Sequence, residues 1–134
     1  MDTAERILRE FDTIAVVGAS REPSKAAHDV PAQLQAAGFR IVPVNPHAET
    51  LLGQRVYRTL ADIPFPVDVV LVFRPSQDAP EVARQAVAIG AKALWLQQGI
   101  ASDEARSTAE AAGLQYVEDT CSAVVRSTLR ISKR

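Results

Sequence analysis

Gly18, Ala19, Ser20, Ser24 and Lys25 crowd into one short polar stretch directly after the apolar run Ile14-Ala15-Val16-Val17. An apolar run that breaks at glycine and leads toward a helical pattern reads as a buried parallel strand feeding a helix N-terminus. A helix N-terminus carries unpaired backbone N–H groups and partial positive charge, which suit a phosphate. Lys25 adds a cation and the two serines add hydroxyls. The chemistry suggested is capture of a phosphorylated ligand. Bond-making machinery is not visible. His28 and His47 sit in no nucleophile-and-base pattern with a carboxylate, and no Gly-x-Ser-x-Gly elbow occurs. One cysteine and two distant histidines give no metal-ligand spacing. No catalytic residue and no metal ligand is therefore assigned.

The elements that must position this loop alternate in type. Asp2 to Phe11 carries Ile7, Leu8 and Phe11 on one helical stripe, with Asp2 and Glu5 at capping spacing. Thr13–Val17 is a strand. A helix follows, starting between Ala26 and Val30, with Pro31 expected near its first turn because deeper placement breaks backbone bonding. Gly38 ends it. Phe39–Val44 is a second strand, stopped at Asn45-Pro46, and a weak extended piece lies near Arg55–Tyr57. Asp68–Phe73 is apolar without alternation and so buried on both faces. Ser76–Ile89 and Ser102–Ala112 read as helices closed by Gly90 and Gly113, Lys92–Leu96 and Gln115–Val117 as strands, and Cys121–Arg130 as a last helix. Trp95 falls inside a central strand and reads as core.

Strands separated by helices imply right-handed crossovers and a parallel sheet covered on both faces. The expected fold is α/β: a doubly wound, Rossmann-like parallel sheet forming one domain. The first strand then lies between the second and the third strong strand, and the crevice opens where the connections diverge. Gly18-Ala19-Ser20 and Phe73-Arg74 meet there.

Bulk composition narrows the classes further. The chain has 134 residues, of which 47% are hydrophobic and 23% charged, enough for a buried core. A net charge of −1 provides no general field for nucleic acid or acidic lipid. Arg126, Arg130, Lys133 and Arg134 form the one basic cluster and read as the solvated face of the last helix plus a polar tail. A lone cysteine fits a reducing cytosol, and neither a signal-peptide pattern nor a run of membrane-spanning length appears. The expectation is a cytoplasmic protein whose partner is a small molecule.

The nucleotide class follows from what the loops lack. Only Gly18 of a G-x-G-x-x-G pattern is present, and the second strand ends in Val44-Asn45-Pro46-His47, without a carboxylate for a ribose hydroxyl. This argues against NAD. No Walker loop occurs. Ser20, Ser24, Lys25, Asn45, His47 and Arg74 favour a phosphorylated ligand of another shape. An NADP-type oxidoreductase, or another nucleotide-dependent enzyme in the same crevice, is the alternative.

A wider set of motifs carries a resemblance. Val16-Val17-Gly18-Ala19-Ser20 with Pro23 and Lys25, Val42-Pro43-Val44-Asn45-Pro46, Leu51-Leu52-Gly53, residues 67–74, residues 89–97 with Gly99-Ile100, and Ala112-Gly113-Leu114 occur in order along nearly the whole chain. Together they resemble the stand-alone CoA-binding proteins, related to the CoA-binding domain of the succinyl-CoA synthetase alpha subunit. The resemblance implies a Rossmann-like domain that binds coenzyme A, or an acyl-CoA, with the pyrophosphate near the first loop. It also implies a binding module, because the synthetase's phosphohistidine domain has no counterpart here. The candidate ligand residues are Gly18, Ala19, Ser20, Ser24, Lys25, Asn45, His47, Phe73, Arg74, Gln97, Gly99 and Ile100, with Gly99 allowing the pantetheine arm to approach the backbone. Similar proteins often read Asp-Arg-Cys-Pro where this chain has Asp119-Thr120-Cys121-Ser122. Several positions carry two readings: Asn45 as turn former or ligand contact, Arg74 as partner of Asp78 or of phosphate, Cys121 as small buried residue or reactive thiol.

Overall fold

The computed structural model describes residues 1–133. Seven strands and five helices follow one another: α1 (Thr3–Glu10), β1 (Thr13–Val17), α2 (Ala26–Ala36), β2 (Arg40–Val44), β3 (Thr50–Leu51), β4 (Gln54–Arg55), β5 (Val69–Val72), α3 (Ala79–Ala88), β6 (Ala93–Leu96), α4 (Asp103–Ala111), β7 (Gln115–Val117) and α5 (Ser122–Thr128). The main sheet has the order β2-β1-β5-β6-β7, and every pairing in it is parallel. This is the doubly wound, Rossmann-like arrangement expected, with β1 between β2 and β5 and the connections diverging at that point.

Side chains of a strand alternate between faces, and here each set meets its own helices. Ile14, Val16, Val69, Leu71, Ala93 and Trp95 pack with Ile7 and Leu8 of α1, Val30 and Leu34 of α2, and Ala123 of α5. Ala15, Val42, Val44, Val70, Val72, Leu94 and Leu96 pack with α3 and α4, whose contact residues are mostly alanine. Small residues bring these two helices close to the sheet. Burial of both faces explains the unbroken Val-Val-Leu-Val of β5.

Local signals set most element ends. Asp2 caps α1 by accepting a hydrogen bond from the Glu5 N–H at 2.8 Å, and Ser102 caps α4 through the Ala105 N–H. Two local features differ from expectation. Pro31 lies six residues into α2, in its second turn rather than its first. A proline there leaves the carbonyl four residues earlier without its helical donor. That carbonyl, on Ala27, accepts the Ser20 N–H at 3.1 Å, so a loop amide replaces the missing helical one. An antiparallel hairpin of β3 and β4, turned by Leu52 and Gly53, both with positive φ, leads into the weak extended piece near residues 55–57. From it the chain runs to Tyr57, which bridges Val44 in parallel and so prolongs the edge beyond β2.

The basic cluster also divides. Arg130 is exposed, but Lys133 is largely buried, its Nζ 2.6 Å from the Arg9 carbonyl and 3.3 Å from Asp12. Arg126 donates to the Ile131 carbonyl. These contacts fold the tail against α1 and α2. Arg134 lies outside the described residues. Among the described residues no helix is long and apolar enough to cross a membrane.

Candidate functional site

A cavity of about 640 Å³ opens at the carboxyl ends of β1 and β2, roofed by the start of α3. Its floor is Val17, Gly18 and Val44. Asn45, His47, Arg58 and Thr59 line it from the segments after β2 and β4, and Arg74, Asp78 and Glu81 from the segment after β5 and the start of α3. The volume is in the range of small-molecule sites, and the position is the switch point of the sheet.

Gly18 fits this place for two reasons. Its φ is +87°, and an added Cβ would lie 3.3 Å from the Phe73 carbonyl and 3.2 Å from the Arg74 side chain. A side chain here would be strained by the backbone angle and would push the β5 end back by a few tenths of an ångström. Asn45 ties the loops together. Its amide nitrogen donates to the Ala19 carbonyl at 2.8 Å, while Oδ1 accepts the N–H groups of His47 and Ala48. The turn-forming reading of Asn45 is the one the geometry displays.

The first loop differs from the expectation of free amides throughout Gly18–Ser20. The Gly18 N–H donates to Val44 O at 3.2 Å and the Ser20 N–H to Ala27 O. Among the described residues only the Ala19 N–H of these three keeps no acceptor, joined by the Ala26 and Ala27 N–H groups opening α2. Ser20 Oγ accepts from the Glu22 N–H. Ser24 and Lys25 are exposed and do not line the cavity, and Lys25 Nζ is 3.2 Å from Glu22. An ion pair that open to solvent stabilises little and leaves the lysine free to move.

Arg74 lines the cavity and also pairs with Asp78 at 2.9 Å, one turn along. Phe73 points away, packing against the face that carries α1, α2 and α5. Gln97, Gly99 and Ile100 stand farther along the same edge, at the end of β6. Gln97 is 4% exposed, and its Oε1 accepts from both the N–H and the hydroxyl of Ser122. The Gly99 N–H donates to Asp119 Oδ1 at 2.7 Å. Ile100 packs on the α3 and α4 side and accepts the Asp119 N–H. Cys121 is a half-buried free thiol lining a separate groove between α2 and α5.

Of the residues singled out from sequence, Gly18, Asn45, His47 and Arg74 are brought together around one cavity. Asp78, named from sequence as a partner of Arg74, also lines it, as do Arg58, Thr59, Glu81 and Gln85, which the sequence reading does not single out. The signal for Arg58 was the extended piece ending at Tyr57: a strand lying alongside β2 delivers its next residue to the same edge. The α3 residues follow from a helix starting directly after β5. The acids do not make the cavity anionic, because Asp78 meets Arg74 and Glu81 meets Arg84 at 2.9 Å.

Similar proteins fix the family. Residues 12–127 match the family described as CoA binding domain. The protein YneT of Bacillus subtilis (strain 168) is 35% identical over 126 residues, covering 94% of this chain and 93% of its own. A solved structure, that of cell-free ID.343 from Thermus thermophilus, superposes with a TM-score of 0.90 at 36% identity, over 96% of this chain and 99% of that one. Acetate–CoA ligase [ADP-forming] II of Archaeoglobus fulgidus is 33% identical over 100 residues, 73% of this chain but 15% of the ligase. The match thus spans about one-seventh of the ligase. A parallel sheet of this order, an open cavity at its switch point and a family match across most of the sequence agree: the chain belongs to the CoA-binding domain family.

Proposed function

We propose that this protein binds coenzyme A, free or acylated, across the carboxyl edge of its sheet, and that it acts as a cytoplasmic binding module rather than a catalyst. The observation that carries the reading is the cavity at the switch point, whose acids are already paired and whose walls hold Arg58 and Arg74. In this reading the adenosine end occupies the cavity. The pyrophosphate lies against Gly18 and Ala19, where the Ala19, Ala26 and Ala27 N–H groups still need acceptors. Ser20, Ser24 and Lys25 form the outer lip, with Lys25 leaving Glu22 for the phosphate. The pantetheine arm then runs along the edge past Phe73 toward Gln97, Gly99 and Ile100. The ligase relative supports CoA recognition and nothing further, since most of that enzyme has no counterpart in this match.

The test is a comparison of thermal shifts at equal excess of CoA, dephospho-CoA, NAD and NADP. A ligand that binds only the folded state, at 100 times its dissociation constant, stabilises by about 2.7 kcal/mol. CoA gives the largest shift and NAD none, because the β2 end offers Asn45 and His47 where an NAD site presents a carboxylate. An NADP shift equal to or above that of CoA overturns the reading in favour of an NADP-dependent enzyme.

A further inference from the structure

Arg40 at the start of β2, Arg55 in β4 and Arg58 after it lie along the outer edge of the sheet, and the first two are seated on aromatic rings. Arg40 stacks over Phe65 at 3.9 Å and Arg55 over Tyr57 at 5.3 Å. Arg58 differs from both. It lines the cavity and, among the described residues, its side chain makes no ion pair, hydrogen bond or ring contact. The other arginine of the cavity, Arg74, is engaged by Asp78. Arg58 is thus the one guanidinium of this cavity without a counter-charge among the described residues.

Its backbone is fixed on both sides. Tyr57 donates to the Pro43 carbonyl and accepts the Asn45 N–H, each within 3.1 Å. Thr59 begins a short helical turn closed by Asp62, whose carboxylate accepts both the Thr59 N–H and its hydroxyl. A long side chain launched from an anchored position at a cavity rim is suited to a phosphate that arrives with a ligand, because a guanidinium offers a planar fork of donors. His47 stands on the same rim and, among the described residues, its ring too makes no contact.

We propose that Arg58, supported by His47, forms the subsite for a terminal phosphate monoester on the ribose, and so decides between a 3′-phosphorylated nucleotide and its dephosphorylated form. This rests on the reading that CoA occupies the cavity. The selection then lies at the rim beyond β2 and not at Lys25, which is off the cavity and paired with Glu22.

Calorimetric titration of the wild type, Arg58→Ala and Arg55→Ala with CoA and with dephospho-CoA tests it. The wild type prefers CoA. Arg58→Ala weakens CoA by about tenfold or more, the loss of one charge-assisted contact, and leaves dephospho-CoA unchanged. Arg55→Ala removes the same charge from a side chain seated on Tyr57 and keeps the preference. If Arg58→Ala weakens both ligands equally or neither, the subsite is overturned while CoA binding stands. If Arg55→Ala erases the preference as well, the general field is responsible and the subsite is likewise overturned. If the wild type binds neither ligand, the CoA reading fails and takes the subsite with it.

Discussion

The carboxyl edge of the sheet has two halves built on opposite terms. Around β1, β2 and β5 the chain leaves a cavity, a glycine with positive φ set tightly against the β5 end, and donors without acceptors. At the ends of β6 and β7 the polar groups are paired with one another: Gln97 Oε1 with Ser122, Gly99 with Asp119, Trp95 Nε1 with the Thr120 carbonyl at 2.8 Å. Both halves are rich in polar residues, so sequence composition does not separate them. What separates them is whether those residues find partners within the fold. A half whose polar groups are paired holds shape, and a half with spare donors is open to the charged groups of a ligand.

The largest expected effect breaks the closed half. Trp95 is essentially fully buried beneath α1, α2 and α5. Trp95→Ala should cost about 3–5 kcal/mol, read from urea unfolding, through lost contacts and the cavity left behind. A cost below about 1 kcal/mol would mean that this half is looser than its hydrogen bonds suggest.

The open half is sharpened by Arg74 and Lys25. Arg74→Ala should lower CoA affinity by roughly 1.5–3 kcal/mol in calorimetry, about tenfold or more, with little change in stability because its pair with Asp78 is exposed. Lys25→Ala should cost less, since Lys25 must leave Glu22 and reach in from outside the cavity. Equal losses would place the phosphates at the lip of the loop rather than between β1 and β5. No change in either variant removes both from the site.

The smallest effect tests saturation by pH. The Tyr116 hydroxyl donates to Glu118 at 2.8 Å, and burial followed by that hydrogen bond pushes its pKa up. A raised folded value contributes stability that is complete below the ordinary tyrosine value of about 10 and is lost as pH rises from there through the folded value. Tyr116→Phe should cost about 1 kcal/mol at neutral pH and flatten the alkaline decline in stability. A decline of unchanged steepness in the variant assigns it to other groups.

How far the sequence was legible follows the same division. Thr13–Val17 is read to the residue, because an unbroken apolar run bounded by Asp12 and Gly18 has one reading. The sheet order follows from strands that alternate with helices. Asn45 before Pro46 predicts its own turn. The hairpin at residues 50–55 is harder: its two-residue strands are too short for periodicity, and only Leu52-Gly53 marks the turn. The engagement of Gly18 and Ser20 is not visible locally, since their acceptors, Val44 and Ala27, become neighbours only when the sheet and α2 assemble. Arg58 was overlooked for a similar reason. Its sequence neighbours are unremarkable, and its lack of a partner is a property of the folded rim.

Pro31 links this loop to a quite different observable. Because the imino acid frees the Ala27 carbonyl, the Ser20 amide is hydrogen-bonded to the first turn of a helix although it belongs to a connecting segment. Its exchange with solvent deuterium then requires that this contact between the loop and α2 open. Ser20 becomes an internal reporter: an amide in the loop after β1 whose protection measures how firmly that loop is docked on α2.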